Sequence, residues 1–198
     1  MTTYLWFDNQ ALEAARFYVD LFPQSRLGDI SYYQADAQQP EGSVLTVEFE
    51  ILGRAFAALN GGPQFPHSEA VSFQVSCETQ EDVDRLWDAL VSDGGSESQC
   101  GWCKDKWGVS WQIIPIALER ALKGLDGYDS DYAFRSMMKM SKIVIADLSP
   151  IGDDRKSQTV FGPEMSHDRV RVSVTHSVIV LQHGDHLGML RAFHFSED

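Results

Sequence analysis

The chain has 198 residues, of which 43% are hydrophobic and 11% aromatic, and its formal net charge is −13 at pH 7. A chain of this length and composition buries enough apolar surface to fold without disulfides or structural metals. The negative charge repels nucleic-acid phosphates and anionic lipid, and no cluster of Lys and Arg offsets it locally. We therefore expect neither nucleic acid nor a membrane as a partner.

The N-terminal segment indicates the compartment. It has no basic region and too short an apolar run for a signal peptide, and no later stretch is long enough to span a membrane. Three cysteines, an odd and low number, suit a reducing environment in which thiols stay free. The expected location is the cytoplasm.

One pattern occurs twice, about seventy residues apart: an apolar run, a polar cap, an amphipathic helix and a hairpin. The first copy begins at Leu5–Asn9 and the second at Val75–Thr79, and each ends in a hairpin with a glycine, Gly53 or Gly108. The alternation of apolar runs and helical stripes predicts an α+β fold of two βαβββ modules. Two such modules build a concave half-barrel, and C-terminal helices and an extra tail are expected after them.

In the first copy, Asn9 is the predicted N-cap of the helix, and Pro23 ends that helix. Strands are expected near 26–33, 44–52 and 54–60. The sequence Gly61-Gly62-Pro63 then reads as the linker between the modules, because two glycines and a proline cannot continue a strand at little cost.

In the second copy, the predicted strand Ala70–Ser76 has two unlike faces. Its apolar side chains alternate with Ser72, Gln74 and Ser76. Thr79 with Asp82 resembles a capping box for the helix that follows.

The modules are followed by segments of different character. We expect modules at about 3–62 and 69–115 within a domain of residues 1–118, and a helical extension over 119–148 that includes Met137, Met138 and Met140. Residues 149–198 form an atypical tail with a possible β-hairpin. The histidines of its turn, His183 and His186, are better explained by turn formation than by metal binding.

The segment from Tyr4 to about Leu118 resembles the vicinal oxygen chelate (glyoxalase and bleomycin-resistance) superfamily, and within it the PhnB-like proteins, often labelled 3-demethylubiquinone-9 3-methyltransferase. The resemblance is carried by six short segments and two single residues, which are Trp6–Asp8, Phe17–Pro23, Ala58–Pro63, Ala70–Glu78, Cys100–Trp102, Ser110–Gln112, Asp105 and Gly108. It implies a glyoxalase/bleomycin-resistance-like open barrel, with C-terminal helices and an extra tail, together with a pocket and often a homodimer. It leaves the activity open, since one fold hosts many functions.

The resemblance also implies where metal ligands would lie. The ligand positions fall at Ala57 and Gln112 on the last strands of the modules, and at Thr2 or Tyr4 and Ala70 or Ser72 on the first strands. Alanine has no donor atom, and one neutral amide cannot hold a divalent ion. We therefore expect no metal and no other cofactor. The sequence has no Gly-rich turn followed by an acidic ribose-binding residue, so it does not support the methyltransferase label.

The polar face of Ala70–Ser76 is the best candidate for a ligand-binding pocket. We expect it to point into the concave cavity together with amide side chains and aromatic walls. The candidate residues are Trp6, Asn60, Ser72, Gln74, Ser76, Trp102, Trp107 and Gln112. A polar network satisfied by water is the alternative interpretation, and catalytic residues are not identified.

Two other motifs have simpler structural explanations. Cys100 and Cys103 lack the further ligands of a zinc site and the helix N-terminus of a redox pair, so packing explains them better. Asp105 and Lys106 could form an acid/base pair, but Asp and Gly are also the residues that a tight turn requires.

Two functional classes follow for this chain. The first is a metal-free protein that binds a small molecule. The alternative is a metal-dependent enzyme of lyase, isomerase or dioxygenase type or, from the family label only, a methyltransferase. The absence of an ionisable residue clearly placed on the cavity face favours the binding protein, because proton transfer needs such a group near the reacting atoms.

Overall fold

The computed structural model describes residues 1–35, 37 and 39–150 and the backbone of Val170–Val172. The first module consists of β1 (Thr3–Phe7), α1 (Ala11–Leu21), β2 (Arg26–Tyr32), β3 (Val44–Ile51) and β4 (Arg54–Asn60). Its sheet has the order β1-β4-β3-β2, in which β1 is parallel to β4 and the other neighbours are antiparallel.

The second module repeats this topology. It consists of β5 (Ser72–Cys77), α2 (Gln80–Val91), β6 (Ser96–Glu97), β7 (Trp102–Lys104) and β8 (Ser110–Pro115). These strands have the order β5-β8-β7-β6, and β5 is parallel to β8 as β1 is to β4. Strands β1 and β5 are therefore equivalent, and the predicted pair of βαβββ modules is confirmed.

Helices follow the second module and form a small core of their own. The elements are α3 (Ile116–Leu122), α4 (Ser130–Met137) and a short 3-10 helix (Ile145–Leu148). Met137 is buried in this core, whereas Met138 is 41% exposed. The predicted domain boundaries stay predictions. In the described part of the chain, no helix is long and apolar enough to cross a membrane.

A short strand from the tail joins the second sheet. The backbone of β9 (Val170–Val172) pairs antiparallel with the free edge of β5. The rest of the predicted hairpin and the histidines at 183 and 186 lie outside the described residues.

The two long helices begin in different ways. The predicted cap of α2 is confirmed, since Thr79 Oγ1 accepts a hydrogen bond from Asp82 N at 3.1 Å. The predicted cap of α1 is wrong, because Asn9 does not cap the helix and the first residue of α1, Ala11, donates its N–H to Asn60 Oδ1 at 2.8 Å. Asn60 ends β4 next to Phe7 of β1, so its side chain reaches the beginning of the helix. Its Nδ2 donates to the Val44 carbonyl at 3.0 Å.

The helix-bearing faces of both sheets contribute to one hydrophobic core. The ring of Tyr18 in α1 stacks on Phe49 of its own sheet and also contacts Trp111 of β8, with ring centroids 5.3 Å apart. Phe56 of β4 meets Phe73 of β5 at 5.3 Å. Because side chains alternate along a strand, the opposite faces of both sheets point away from this core.

A buried carboxylate joins the modules at this core. Asp105 Oδ2 accepts hydrogen bonds from Tyr18 Oη at 2.6 Å and Trp111 Nε1 at 2.9 Å. Its Oδ1 accepts the backbone N–H groups of Trp107 and Val109, both at 3.0 Å, which forms the turn between β7 and β8. Burial raises the pKa of Asp105, and the four donors act in the opposite direction. Burial and the neighbouring Asp105 raise the pKa of Tyr18, so its hydroxyl stays a donor.

We expect Asp105→Asn to lower the free energy of unfolding by about 3 kcal/mol, because two of the four donors would then face an amide NH2 group. Tyr18→Phe should lower it by about 1–2 kcal/mol. Urea denaturation measures both, and Tyr32→Phe at a 49% exposed tyrosine serves as the control. An Asp105→Asn protein as stable as the wild type would contradict the role of the carboxylate.

The capping assignment gives a paired prediction. Asn60→Ala should lower the free energy of unfolding by about 1–2 kcal/mol, because the first N–H of α1 loses its acceptor. Asn9→Ala, at the exposed residue that the sequence pattern favoured, should change it by less than about 0.5 kcal/mol. The same urea measurement decides, and equal losses in the two variants would contradict the assignment.

Candidate functional site

The polar side chains of β5 lie on the face of the second sheet that points away from the core. Phe73, Val75 and Cys77 are buried, while Ser72, Gln74 and Ser76 are half-buried on the opposite face. The parallel register places Ser72 beside Ser110 and Gln74 beside Gln112, so β8 continues the polar row. The row ends at Trp102 of β7, which pairs with Gln112. We call this surface, made by Ser72, Gln74, Ser76, Trp102, Ser110 and Gln112, the polar face.

Hydrogen bonds organise the polar face. Gln112 Nε2 donates to Ser72 Oγ at 2.8 Å, across the β5–β8 pair. Gln74 Nε2 donates to Glu119 Oε1 at 2.9 Å. Glu119 lies on α3, which packs its Leu118 against Ile114 on the same side of the sheet. The structure therefore adds a half-buried carboxylate to a set of residues that the sequence predicted to be neutral.

The sequence contains no direct signal for Glu119. The helical pattern of 116–123 predicts the helix, but not that α3 folds back across the sheet it follows. Only the apolar positions Leu118 and Ala121, which pack on this side, hint that the helix has an inner face.

Two polar atoms on this side of the sheet have no hydrogen-bond partner within the described part of the chain. They are the Ser110 hydroxyl and the indole Nε1 of Trp102, and both atoms are buried. A buried polar atom without a partner costs about 1–3 kcal/mol, and Ser110 is only 1% exposed. The polar face therefore has unused hydrogen-bonding capacity.

Trp6 and Trp107 lie elsewhere, in a cleft where the two modules join. The cleft has a volume of about 250 Å³ and is bounded by the end of β1, the linker and the turn before β8. Its lining residues are Trp6, Phe7, Asp8, Gln10, Gly62, Pro63, Phe65, Pro66, His67, Lys106 and Trp107. We call it the junction cleft.

Asn60 lies neither on the polar face nor at the junction cleft. It contributes to a separate cavity of about 270 Å³ beside the beginning of α1, together with Asp8 and Tyr33. Its amide is already engaged by Ala11 and Val44. The eight candidate residues thus fall into three groups, five on the polar face, two at the junction cleft and one at the helix start, and ligand binding by each stays a prediction.

The positions that the resemblance assigns to metal ligands do not fit a divalent ion. Ala57 of β4 pairs with Tyr4 of β1 and offers no donor atom. The Gln112 amide is hydrogen-bonded to Ser72. Across the described ranges, no three His, Cys, Asp or Glu side chains converge as a metal site requires.

The environment of the three cysteines disfavours the reactive thiolate form. Cys77, Cys100 and Cys103 are buried and free. Burial raises the pKa of Cys103 to about 12, and that of Cys77 likewise to about 12, so both thiols are protonated at neutral pH. A protonated thiol is neither an effective nucleophile nor a metal ligand.

Known proteins resemble this chain over its first part. The model of the 3-demethylubiquinone-9 3-methyltransferase family matches residues 1–114. No curated protein matches the chain.

Solved structures show the same relationship. The PhnB protein of Bacillus cereus, described as a 3-demethylubiquinone-9 3-methyltransferase, is 33% identical with a TM-score of 0.54, and the match covers 58% of this chain and 98% of that one. Protein PA1353 from Pseudomonas aeruginosa is 20% identical over 58% of this chain and 96% of its own, with a TM-score of 0.47. A glyoxalase/bleomycin resistance protein from Albidiferax ferrireducens is 12% identical over 56% and 92% of the two chains, with a TM-score of 0.38.

The family match, together with the topology that both modules share, identifies the family of the chain. Because the family model matches 114 of the 198 residues, the chain belongs to the 3-demethylubiquinone-9 3-methyltransferase (PhnB-like) family.

Proposed function

We propose that the protein binds a small molecule on the polar face without the help of a metal. The observation that carries the proposal is the presence of two buried, unpartnered polar atoms, Ser110 Oγ and Trp102 Nε1, on the side of the sheet where Gln112 and Gln74 form ordered hydrogen bonds. Binding sites combine apolar walls with a few convergent polar groups. Here the Trp102 ring supplies the wall and the row of serines and glutamines supplies the polar groups.

The polar face also suggests what the ligand offers in return. The indole N–H of Trp102 can only donate a hydrogen bond, and the Ser110 hydroxyl can donate or accept one. An oxygen acceptor on the ligand would satisfy both atoms. At the other end of the face, the Glu119 carboxylate accepts hydrogen bonds, so a hydroxyl or amine on the ligand suits that end.

An enzyme on the same scaffold is the second candidate. Glu119 is the observation that favours it, since a half-buried carboxylate beside Gln74 is a group that could transfer a proton. The family name includes a methyltransferase, but the sequence lacks the Gly-rich turn and the acidic residue of a dinucleotide-type binding site. We therefore propose no methyl transfer. Binding stays the preferred function, because the other ionisable side chain that the structure describes on this side of the sheet, Lys104 beside Ser110, is already paired with Glu69 at 2.5 Å.

We also propose that a second copy of the chain completes the site, so that the active form is a homodimer. Within the described ranges, no helix packs on the outer face of the first sheet, and Tyr4 on that face is 64% exposed. The C-terminal helices cover the outer side of the second sheet near Ile114 and Trp102. One module makes half of a concave sheet, and such faces are normally covered. The buried, unpaired cysteines support a location in the reducing cytoplasm.

Metal analysis tests the metal-free site. We expect purified protein to contain no stoichiometric zinc, nickel, manganese or iron after dialysis, and these ions to leave its melting temperature unchanged. A bound ligand at a hundred times its dissociation constant stabilises by about 2.7 kcal/mol, which a thermal-shift measurement detects readily. Stoichiometric metal that survives dialysis and is lost on Gln112→Ala would overturn this part of the proposal.

A thermal-shift screen against a small-molecule library tests binding at the polar face. Compounds that stabilise the wild type should lose this effect in Gln112→Leu and Gln74→Leu, because the variants remove the hydrogen-bonding amides. Gln34→Leu, at an exposed glutamine that follows β2 in the first module, is the matched control and should retain the effect. Stabilisation that persists in both strand variants would contradict a site at the polar face.

Sedimentation at micromolar concentration tests whether the protein is a homodimer. The expected mass is about twice the 22.2 kDa of one chain, because an obligate interface buries on the order of 2,000 Å² or more. Tyr4→Asp places a charge on the uncovered sheet face and should shift the species toward one chain mass. A wild-type protein that sediments as a monomer would contradict the proposal.

A further inference from the structure

The junction cleft lies apart from the polar face, and its lining contains none of the polar-face residues. We propose that the junction cleft is a second binding site, and that it takes a small neutral molecule with one aromatic ring and a hydroxyl group, of the size of phenol. The proposal goes beyond the function of the polar face and does not depend on it.

Flat rings form the walls of the cleft. The rings of Trp6 and Phe65 meet edge to face, with centroids 4.9 Å apart. Phe7 and Trp107 meet in the same way at 6.4 Å. Aromatic rings prefer such edge-to-face and offset arrangements with one another, so an added ring finds favourable partners on several sides.

The Trp6 wall is held in place before any ligand arrives. Its Nε1 donates a hydrogen bond to the Gly62 carbonyl at 2.7 Å. The ring lies directly on Gly61, where a Cβ atom would overlap the six-membered ring of the indole. A glycine is therefore required at residue 61, and a preformed wall lowers the entropic cost of binding.

The size of the cleft limits its occupant. Its volume is about 250 Å³, and a cavity of about 150 Å³ is known to accommodate benzene. One ring with a substituent fits this space, whereas a large multi-ring molecule does not. Phe65 is 63% exposed, so it is the wall that can shift as a ligand enters.

His67 supplies the polar contact. It lines the cleft with its ring 5.3 Å from that of Phe7, and its Nε2 is buried with no hydrogen-bond partner among the residues that the structure describes. Burial lowers the pKa of His67, although the Asp105 charge and the Trp6 backbone act in the opposite direction. The imidazole is therefore neutral at pH 7, and a neutral imidazole nitrogen pairs well with a hydroxyl.

The charges at the rim favour a neutral molecule. Lys106 Nζ lies 2.7 Å from Glu13 Oε1 and 4.8 Å from the centre of the Trp107 ring, so this cation already has partners. Asp8 lies at the same cleft and would repel a carboxylate. An anion therefore finds no free cation among the described lining residues, and the exposed Asp8 carboxylate at the rim attracts a cation only weakly because water and salt screen it.

Titration calorimetry of the full chain with phenol and with benzene tests the proposal. Phenol should bind saturably with one site per chain, about tenfold more tightly than benzene, since benzene cannot satisfy His67 Nε2. His67→Phe should weaken phenol binding about tenfold and leave benzene binding unchanged. Phe65→Ala should weaken both, whereas Phe134→Ala, at a 48% exposed phenylalanine of α4, should weaken neither.

Two further measurements distinguish binding at the junction cleft from misfolding of a variant and from binding at the polar face. Phenol should move the imidazole NMR signals of His67 saturably in the wild-type protein, which does not depend on how the variants fold. Gln112→Leu should bind phenol as the wild type does, which separates this site from the polar face. Equal affinities for phenol and benzene, or phenol binding lost in Gln112→Leu but kept in Phe65→Ala, would overturn the proposal.

Discussion

The arrangement of the two modules depends on one buried carboxylate. Asp105 accepts four hydrogen bonds, and the one from Tyr18 comes from the helix of the other module. A carboxylate with fewer donors would be costly to bury, so the site is satisfied only when α1 lies against the β7–β8 turn. This requirement directs the helix-bearing faces of both sheets into one core. It therefore turns the polar face and the open face of the first sheet outward, which leaves both faces free for the second copy that we propose.

The same interaction also forms the junction cleft. The turn that Asp105 closes presents Trp107 and Lys106, and the Trp107 ring packs against Tyr18 with centroids 5.6 Å apart. Across from it, the linker folds beneath Trp6 because Gly61 has no side chain. The cleft is thus a by-product of joining two modules through a short linker and a buried hydrogen-bonded turn.

Local patterns in the sequence predict most of the fold, and contacts between distant segments explain what they miss. The alternation in β5 and the hairpin residues Gly53 and Gly108 are local signals, and both modules follow from them. The cap of α1 was assigned to Asn9 because it is adjacent, but Asn60 arrives from 49 residues away through the β1–β4 pairing. Glu119 was not predicted for the same reason, because the hydrophobic periodicity of a helix does not indicate which surface the helix will cover.

The outer positions of β4 and β8 do not offer the ligands that a divalent metal ion requires. Where the resemblance places ligands, the chain has Ala57 without a donor atom and Gln112 bonded to Ser72. A Lewis acid can polarise an oxygen by its charge alone, whereas an amide and two hydroxyls act only through directed hydrogen bonds. In the binding that we propose, recognition at the polar face rests on the shape and hydrogen-bonding pattern of the ligand. The unpartnered Ser110 and Trp102 atoms gain most from a ligand that satisfies them both, because a ligand that misses either one leaves that atom's desolvation cost in place.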